Sequence, residues 1–318
     1  MTVAVLCGGV GAARFLRGLV RVMPPEDIVA IVNTGDDTEM HGLTICPDLD
    51  TITYTLAEAT DIERGWGLAG ETWTALHALE RFAAVRPATS TAAGTWFGLG
   101  DQDLATHMYR THRLGEGATP TEIAGEIARA WGLGLTMLPM ADDPVRTMLT
   151  VEELGEISFQ EYFVRHRHGV PITGLRFAGA DAAVVPPAVL AAIAEADTVV
   201  IAPSNPLVSI GPLRALPAIE AALKARRADV VAISPIVGGK ALKGPADRML
   251  TELGFRPDQG SIATLYAEIA STLIIDEIDA GEADDVRRAG LKAVVTNTIM
   301  SDPDRAAHVA TVALRPRL

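Results

Sequence analysis

The segment that most restricts the fold is the first one. An apolar, β-branched run at 3–6 breaks into Gly8-Gly9-Val10-Gly11, continues as a helical pattern over 12–23, and is followed by a second apolar run at 28–32. Phe15, Leu16, Leu19 and Val20 recur at helical spacing, while Arg14, Arg17 and Arg21 mark another face. Strand, glycine turn, helix, strand is a βαβ unit, and its right-handed crossover commits the chain to a parallel sheet. Similar apolar runs recur at 198–202, 229–233, 273–276 and 292–295. The expected fold is α/β, a Rossmann-like, mostly parallel sheet with helices on both faces.

The middle of the chain is less regular. Residues 33–50 are polar and punctuated by Gly and Pro, and read as a long loop. The pattern predicts helices over 51–58, 72–85 and 120–133, the last with Thr119 as N-cap, Pro120 in first place and Glu122 three residues after the cap. Residues 87–94 read as a surface link, 145–163 as strands with a hairpin, and 213–226 as one helix; regular α/β texture resumes from Ile172. One domain over 1–318 is expected, with a smaller helical or hairpin lid or subdomain inserted around 64–170.

Composition narrows the class. Hydrophobic residues make up 48% of 318, enough for a large core, so disorder is excluded as the main state. Lys+Arg is 27 and Asp+Glu 40, a net charge of −13, which speaks against holding a nucleic acid by bulk charge but not against a nucleotide held by backbone amides. The cysteines, Cys7 and Cys46, form no CxxC pair, so no disulfide framework or Cys-rich zinc site is expected. No signal peptide and no apolar run long enough to span a membrane is read, and a cytoplasmic protein without membrane partners is expected. The high apolar fraction is compatible with a homodimer.

Two kinds of site are suggested by the residues alone. The glycines Gly8, Gly9 and Gly11 sit where a strand opens into a helix, a place that admits a phosphate, and Arg14 lies one turn on. The segment is neither GxGxxG nor a Walker A loop. Ser204-Asn205 and Gly238-Gly239 end two later strands and suit the walls of a nucleotide cleft. Between 33 and 50 stand four aspartates, Asp36, Asp37, Asp48 and Asp50. Singly, each suits a turn or helix cap; together, beside a phosphate loop, they suit Mg²⁺, which binds carboxylates, phosphate and water. Asp101 and Asp103 precede a predicted helix on which His107 follows Asp103 by one turn, a spacing that suits a structural pairing. Asp142-Asp143 reads as a plain acidic turn, and His166 and His168 fall in a basic surface stretch. The absence of GxSxG and HExxH motifs lowers serine and zinc hydrolysis, leaving metal-assisted chemistry at phosphorus.

Nine segments together resemble one family. They are GGVGAARFLRGL from Gly8, NTGDD…HGL…CPDLDT from Asn33, RGWG…ETW from Arg64, LGDQDLATH from Leu99, LPMADDP from Leu138, FQEYFVRHR from Phe159, APSNPLVSIGPL from Ala202, SPIVGGKALKGPAD from Ser234 and SDPDRAA from Ser301. In this order they resemble the 2-phospho-L-lactate transferases of deazaflavin coenzyme F-420 biosynthesis, in particular the actinobacterial phosphoenolpyruvate-using branch. The resemblance implies transfer of a phosphoenolpyruvyl or phospholactyl group from a guanosine diphospho-adduct to the ribityl hydroxyl of the deazaflavin Fo, with release of GMP and a requirement for Mg²⁺. By the same match, Asp50 and the residue between the acids of GDxD contact the deazaflavin. That residue is usually basic in the family and is Gln102 here. The implied mechanism puts Mg²⁺ on Asp37 and Asp50, with Asp36 or Asp48 close by. A non-catalytic nucleotide-sugar-binding regulatory protein of related fold is the first alternative, and a dinucleotide-dependent oxidoreductase the second.

Overall fold

The computed structural model describes residues 1–314. Its centre is a seven-stranded parallel sheet of Val3–Cys7, Ile28–Val32, Thr136–Pro139, Thr198–Ile201, Val230–Ile233, Thr272–Ile275 and Lys292–Val295. Numbered along the chain, the strands lie in the order 3-2-1-4-5-6-7. The order reverses between the first and fourth strands, and ligands of open α/β sheets bind outside the carboxyl ends at such a reversal.

Side-chain alternation explains the layers. Val3, Val5 and Cys7 join one buried core and Ala4 and Leu6 the other, so the unbroken apolar run is covered on both faces. One face carries the helices Gly9–Leu19, Pro47–Leu56, Pro120–Ala130 and Pro303–Leu314. The opposite face carries Pro187–Glu195, Pro217–Ala225, Ala246–Glu252 and Gln259–Tyr266, together with an antiparallel sheet of Gly155–Ser158, Arg146–Val151 and Ile172–Ala178. The first and last helices touch backbone to backbone: a Cβ on Gly18 would fall 2.2 Å from the Ala306 carbonyl carbon. Among the described residues no helix is long and apolar enough to cross a membrane.

Several expectations are redrawn. The first helix starts at Gly9 and ends at Leu19, inside the expected 12–23 at its far end, because the glycine turn is itself the first turn. The stretch 33–50 is not a continuous loop: it holds the hairpin Thr38–Met40 with Leu43–Ile45, and Asp48 and Asp50 stand in the first turn of helix Pro47–Leu56. Pro217 splits the expected helix 213–226 into Gly211–Arg214 and Pro217–Ala225, since proline cannot continue the hydrogen-bond ladder. Ile172–Ala178 belongs to the antiparallel sheet rather than to the returning α/β repeat. Thr136–Pro139 pairs with Ile28–Val32 in the central sheet, so the segment 64–170 is divided by a strand of the core.

The N-terminus of Pro120–Ala130 forms as expected. Thr119 Oγ1 accepts from the Glu122 amide at 3.2 Å, and Glu122 Oε2 accepts from the Thr119 amide at 2.8 Å. Thr119→Ala is expected to cost about 1 kcal/mol, read as a lower denaturant midpoint at unchanged slope.

Candidate active site

Gly8 and Gly9 lie at the carboxyl end of the first strand, beside the reversal. Gly9 has φ +71°, a left-handed conformation that favours glycine. Its amide donates to Asp48 Oδ1 at 2.8 Å, and the Asn33 side-chain amide donates to Asp48 Oδ2 at 2.9 Å. Asn33 Oδ1 in turn accepts from the Gly35 amide at 2.8 Å. Across the crevice, Ser204 Oγ donates to the Gly8 carbonyl at 2.9 Å, and a Cβ on Gly11 would fall 2.2 Å from the Pro203 carbonyl oxygen. Asn205 Oδ1 accepts from the Leu207 amide at 2.9 Å, closing its own turn. Ser204 and Asn205 therefore shape the crevice with their side chains. The positive end of helix Gly9–Leu19 faces this crevice, with half-buried Arg14 one turn on.

Asp36 is buried beside this cluster. Burial raises its carboxyl well above the ordinary range, and Asp48 and Asp37 raise it further. Burial likewise pushes Asp48 up to about 6, although the Asn33 and Gly9 hydrogen bonds pull the other way.

The second half of the site is a cleft of about 200 Å³ beyond the carboxyl ends of Ile28–Val32 and Thr136–Pro139. Its polar side includes Thr34, Asp37, Cys46, Asp50, Arg110 and Arg146, and its apolar side Leu49, Leu114, Ile123, Ile127 and Met137. Asp37 Oδ2 accepts from the Cys46 thiol at 3.1 Å, whereas Oδ1 is enclosed without a partner. Desolvation pushes Asp37 up to about 7 against the pull of the Cys46 hydrogen bond and of Arg146 and Arg110.

Asp50 is buried and gripped at both oxygens by Arg110, through Nη2 to Oδ1 and through Nη1 to Oδ2 at 3.2 Å. Arg110 Nη1 also lies 3.2 Å from His107 Nδ1 and 3.3 Å from the Thr44 carbonyl oxygen. With a guanidinium donating to Nδ1, the His107 proton is assigned to Nε2, which faces Asp103 Oδ2 at 3.3 Å. Tyr54 Oη donates to Asp103 Oδ1 at 2.6 Å. Burial works to raise Asp103, but His107, Tyr54 and Arg110 together hold it below the usual carboxylate range.

Asp37, Asp50 and the apolar slot thus share one cleft, while Asp48, two residues before Asp50 on the same helix, binds the glycine turn at Gly9. Gln102 is exposed, immediately before helix Asp103–Gly115 and outside the cleft's lining; its amide donates to Glu71 Oε1 at 2.6 Å and its side chain to the Gly70 carbonyl at 3.1 Å. Asp101 caps a different helix, Thr74–Ala83, accepting from the Thr74 and Ala75 amides at 2.9 and 3.0 Å. Gly238 and Gly239 line a separate hollow with Asp258, Asp279 and Glu282, and the Gly238 amide already donates to Asp279 at 3.0 Å. His168 stacks on Phe163, away from the cleft's lining.

Sequence reasoning passed over Arg110, Tyr54, Cys46 and Arg146. A usable signal existed for one of them: Asp103, His107 and Arg110 follow i, i+4 and i+7 along helix Asp103–Gly115, one charged stripe facing inward.

An all-oxygen donor pair suits Mg²⁺. Asp37 offers an uncommitted Oδ1, and Asp50 an oxygen once Arg110 yields it. Asp48 has both oxygens occupied by Gly9 and Asn33. Asp50, Asp103 and His107 also bring one donor atom each within 4.8 Å of one another.

The family model described as 2-phospho-L-lactate transferase CofD matches residues 3–312. The phosphoenolpyruvate transferase of Streptomyces griseus is 41% identical over 318 residues, covering 99% of this chain and 98% of its own. The phosphoenolpyruvate transferase of Nocardia farcinica is also 41% identical, covering 98% of this chain and 93% of its own. Among solved structures, protein BH3568 of Bacillus halodurans superposes with a TM-score of 0.64 at 18% identity, covering 99% of both chains, a likeness of fold.

Proposed function

Since the chain belongs to the 2-phospho-L-lactate transferase family, and is therefore a transferase of coenzyme F-420 biosynthesis, we propose that it transfers a phosphoenolpyruvyl group from a guanosine diphospho-adduct to the ribityl hydroxyl of Fo. The choice of phosphoenolpyruvyl over phospholactyl follows the names of its 41% identical relatives. A cytoplasmic location goes with this reading. The observation that carries it is the placing of Asp37 and Asp50 in one cleft with an apolar wall, joined through helix Pro47–Leu56 to the phosphate loop.

In this reading the guanosine diphosphate lies over the N-terminus of helix Gly9–Leu19, with Arg14 as a further cation. The flat deazaflavin rests against Leu49, Leu114, Ile123, Ile127 and Met137. The Fo hydroxyl oxygen bonds to the phosphorus that carries the enolpyruvyl group. The bond from that phosphorus to the bridging oxygen breaks, and GMP leaves with that oxygen. The hydroxyl proton passes to a carboxylate of the cleft. Arg110 and Arg146 offset negative charge in the cleft, and the buried surroundings keep that interaction strong. Bound Mg²⁺, held by Asp37 and Asp50, would supply charge neutralisation at the diphosphate.

Mass spectrometry of the enzyme with Fo and the guanosine adduct tests the reading. Stoichiometric GMP and phosphoenolpyruvyl-Fo are expected, lost in EDTA and restored by Mg²⁺. Turnover indifferent to EDTA would remove the metal, and stabilisation by a UDP-sugar with no GMP formed would favour the regulatory alternative.

A further inference from the structure

Arg110 is 4% exposed and yet forms part of the cleft wall. Its two terminal nitrogens are used unequally. Nη1 has three neighbours, Asp50 Oδ2, His107 Nδ1 and the Thr44 carbonyl. Nη2 donates to Asp50 Oδ1. A buried carboxylate without a counter-charge is costly, so an Asp50 awaiting a cation needs one from the protein.

We propose that Arg110 is the resident counter-cation of Asp50, holding the divalent site assembled while it is empty and yielding Oδ1 when the ion binds. The inference rests on the reading of Asp37 and Asp50 as the metal pair. Arg110 is then a positioning residue that sets divalent affinity by competition. Because Nη1 keeps His107 and Thr44, the guanidinium can give up the Nη2 contact without leaving its socket. The socket is rigid in turn: His107 faces Asp103, and Asp103 accepts from Tyr54. A cation held against a ligand carboxylate also repels an incoming ion, so removing it trades assembly of the empty site for tighter binding.

Mn²⁺ binding, read by electron paramagnetic resonance without substrates, tests this on the full chain. Arg110→Gln is expected to bind Mn²⁺ about tenfold more tightly than wild type, as a neighbouring like charge is lost. Arg110→Lys keeps the charge but loses the two-point grip, and about threefold tighter binding is expected from the weaker hold on Asp50. In EDTA both variants should melt below wild type, and Mg²⁺ should narrow the gap. Unchanged or weaker Mn²⁺ binding in a natively folded Arg110→Gln or Arg110→Lys protein overturns the inference while leaving the metal reading intact. If Asp50→Asn binds Mn²⁺ as wild type does, the metal reading fails and the inference with it.

Discussion

Asp50→Asn is expected to lower GMP release by about a thousandfold, the scale on which loss of one preorganised electrostatic contact slows an enzyme. The substitution keeps shape and one acceptor oxygen but removes the charge that faces Arg110 and, in the proposed mechanism, the metal. It has a second consequence. Arg110 is left buried with half its partner gone, and breaking a buried ion pair costs about 3–5 kcal/mol. Rate and stability therefore have to be measured apart: single-turnover GMP release well below the melting temperature, and thermal unfolding by circular dichroism. A variant that melts early but turns over at the wild-type rate would show Asp50 to be a structural anchor alone. Asp37→Asn provides the contrast. It removes charge from the cleft without orphaning a bidentate arginine, so activity should fall with little loss of stability.

Gly11→Ala is expected to damage the nucleotide half of the site. The added methyl would stand 2.2 Å from the Pro203 carbonyl oxygen, and neither side of that contact is a side chain able to turn away. The helix start and the strand-exit turn must separate. Overpacking of this kind costs about 1–3 kcal/mol, and the shift acts on the amides that would meet a diphosphate. GDP affinity by calorimetry is expected to drop by about a hundredfold, the cost of a contact geometry lost rather than of a group removed. Gly115→Ala is the control, for nothing lies within 4 Å of its Cβ position and it ends a helix. That change should leave GDP binding alone and stabilise by up to about 1 kcal/mol. Equal effects at the two glycines would contradict the steric argument.

What the sequence made legible was local and periodic. The βαβ start, the strands at both sides of the reversal and the Thr119 capping box each follow from residues adjacent in the chain or at fixed spacing. Thr136–Pro139 escaped notice because it is short and ends in proline, a residue that argues against a strand. It is the outermost strand of the sheet, needing only one partner, so the proline is tolerated there. The aspartates show the limit more sharply. Asp48 and Asp50 look equivalent in the sequence, yet successive directions around one helical turn send Asp48 to Gly9 and Asp50 to Arg110. No spacing rule sorts them, because the partners are supplied by tertiary structure. Arg110 was hidden for the same reason: an arginine on an amphipathic helix normally faces solvent, and its counter-charge lies 60 positions earlier.

The contact between Gly18 and Ala306 has a bearing on how the protein is made. One side of helix Gly9–Leu19, which opens on the glycine turn, is covered by Pro303–Leu314, the last described element to be synthesised. While the chain is still on the ribosome, the Gly18 side of that helix must wait for the strands and helices in between to emerge before Ala306 arrives. Translation that stops short of that final helix should therefore yield product which is captured by chaperones or degraded, and no partially active fragment should accumulate.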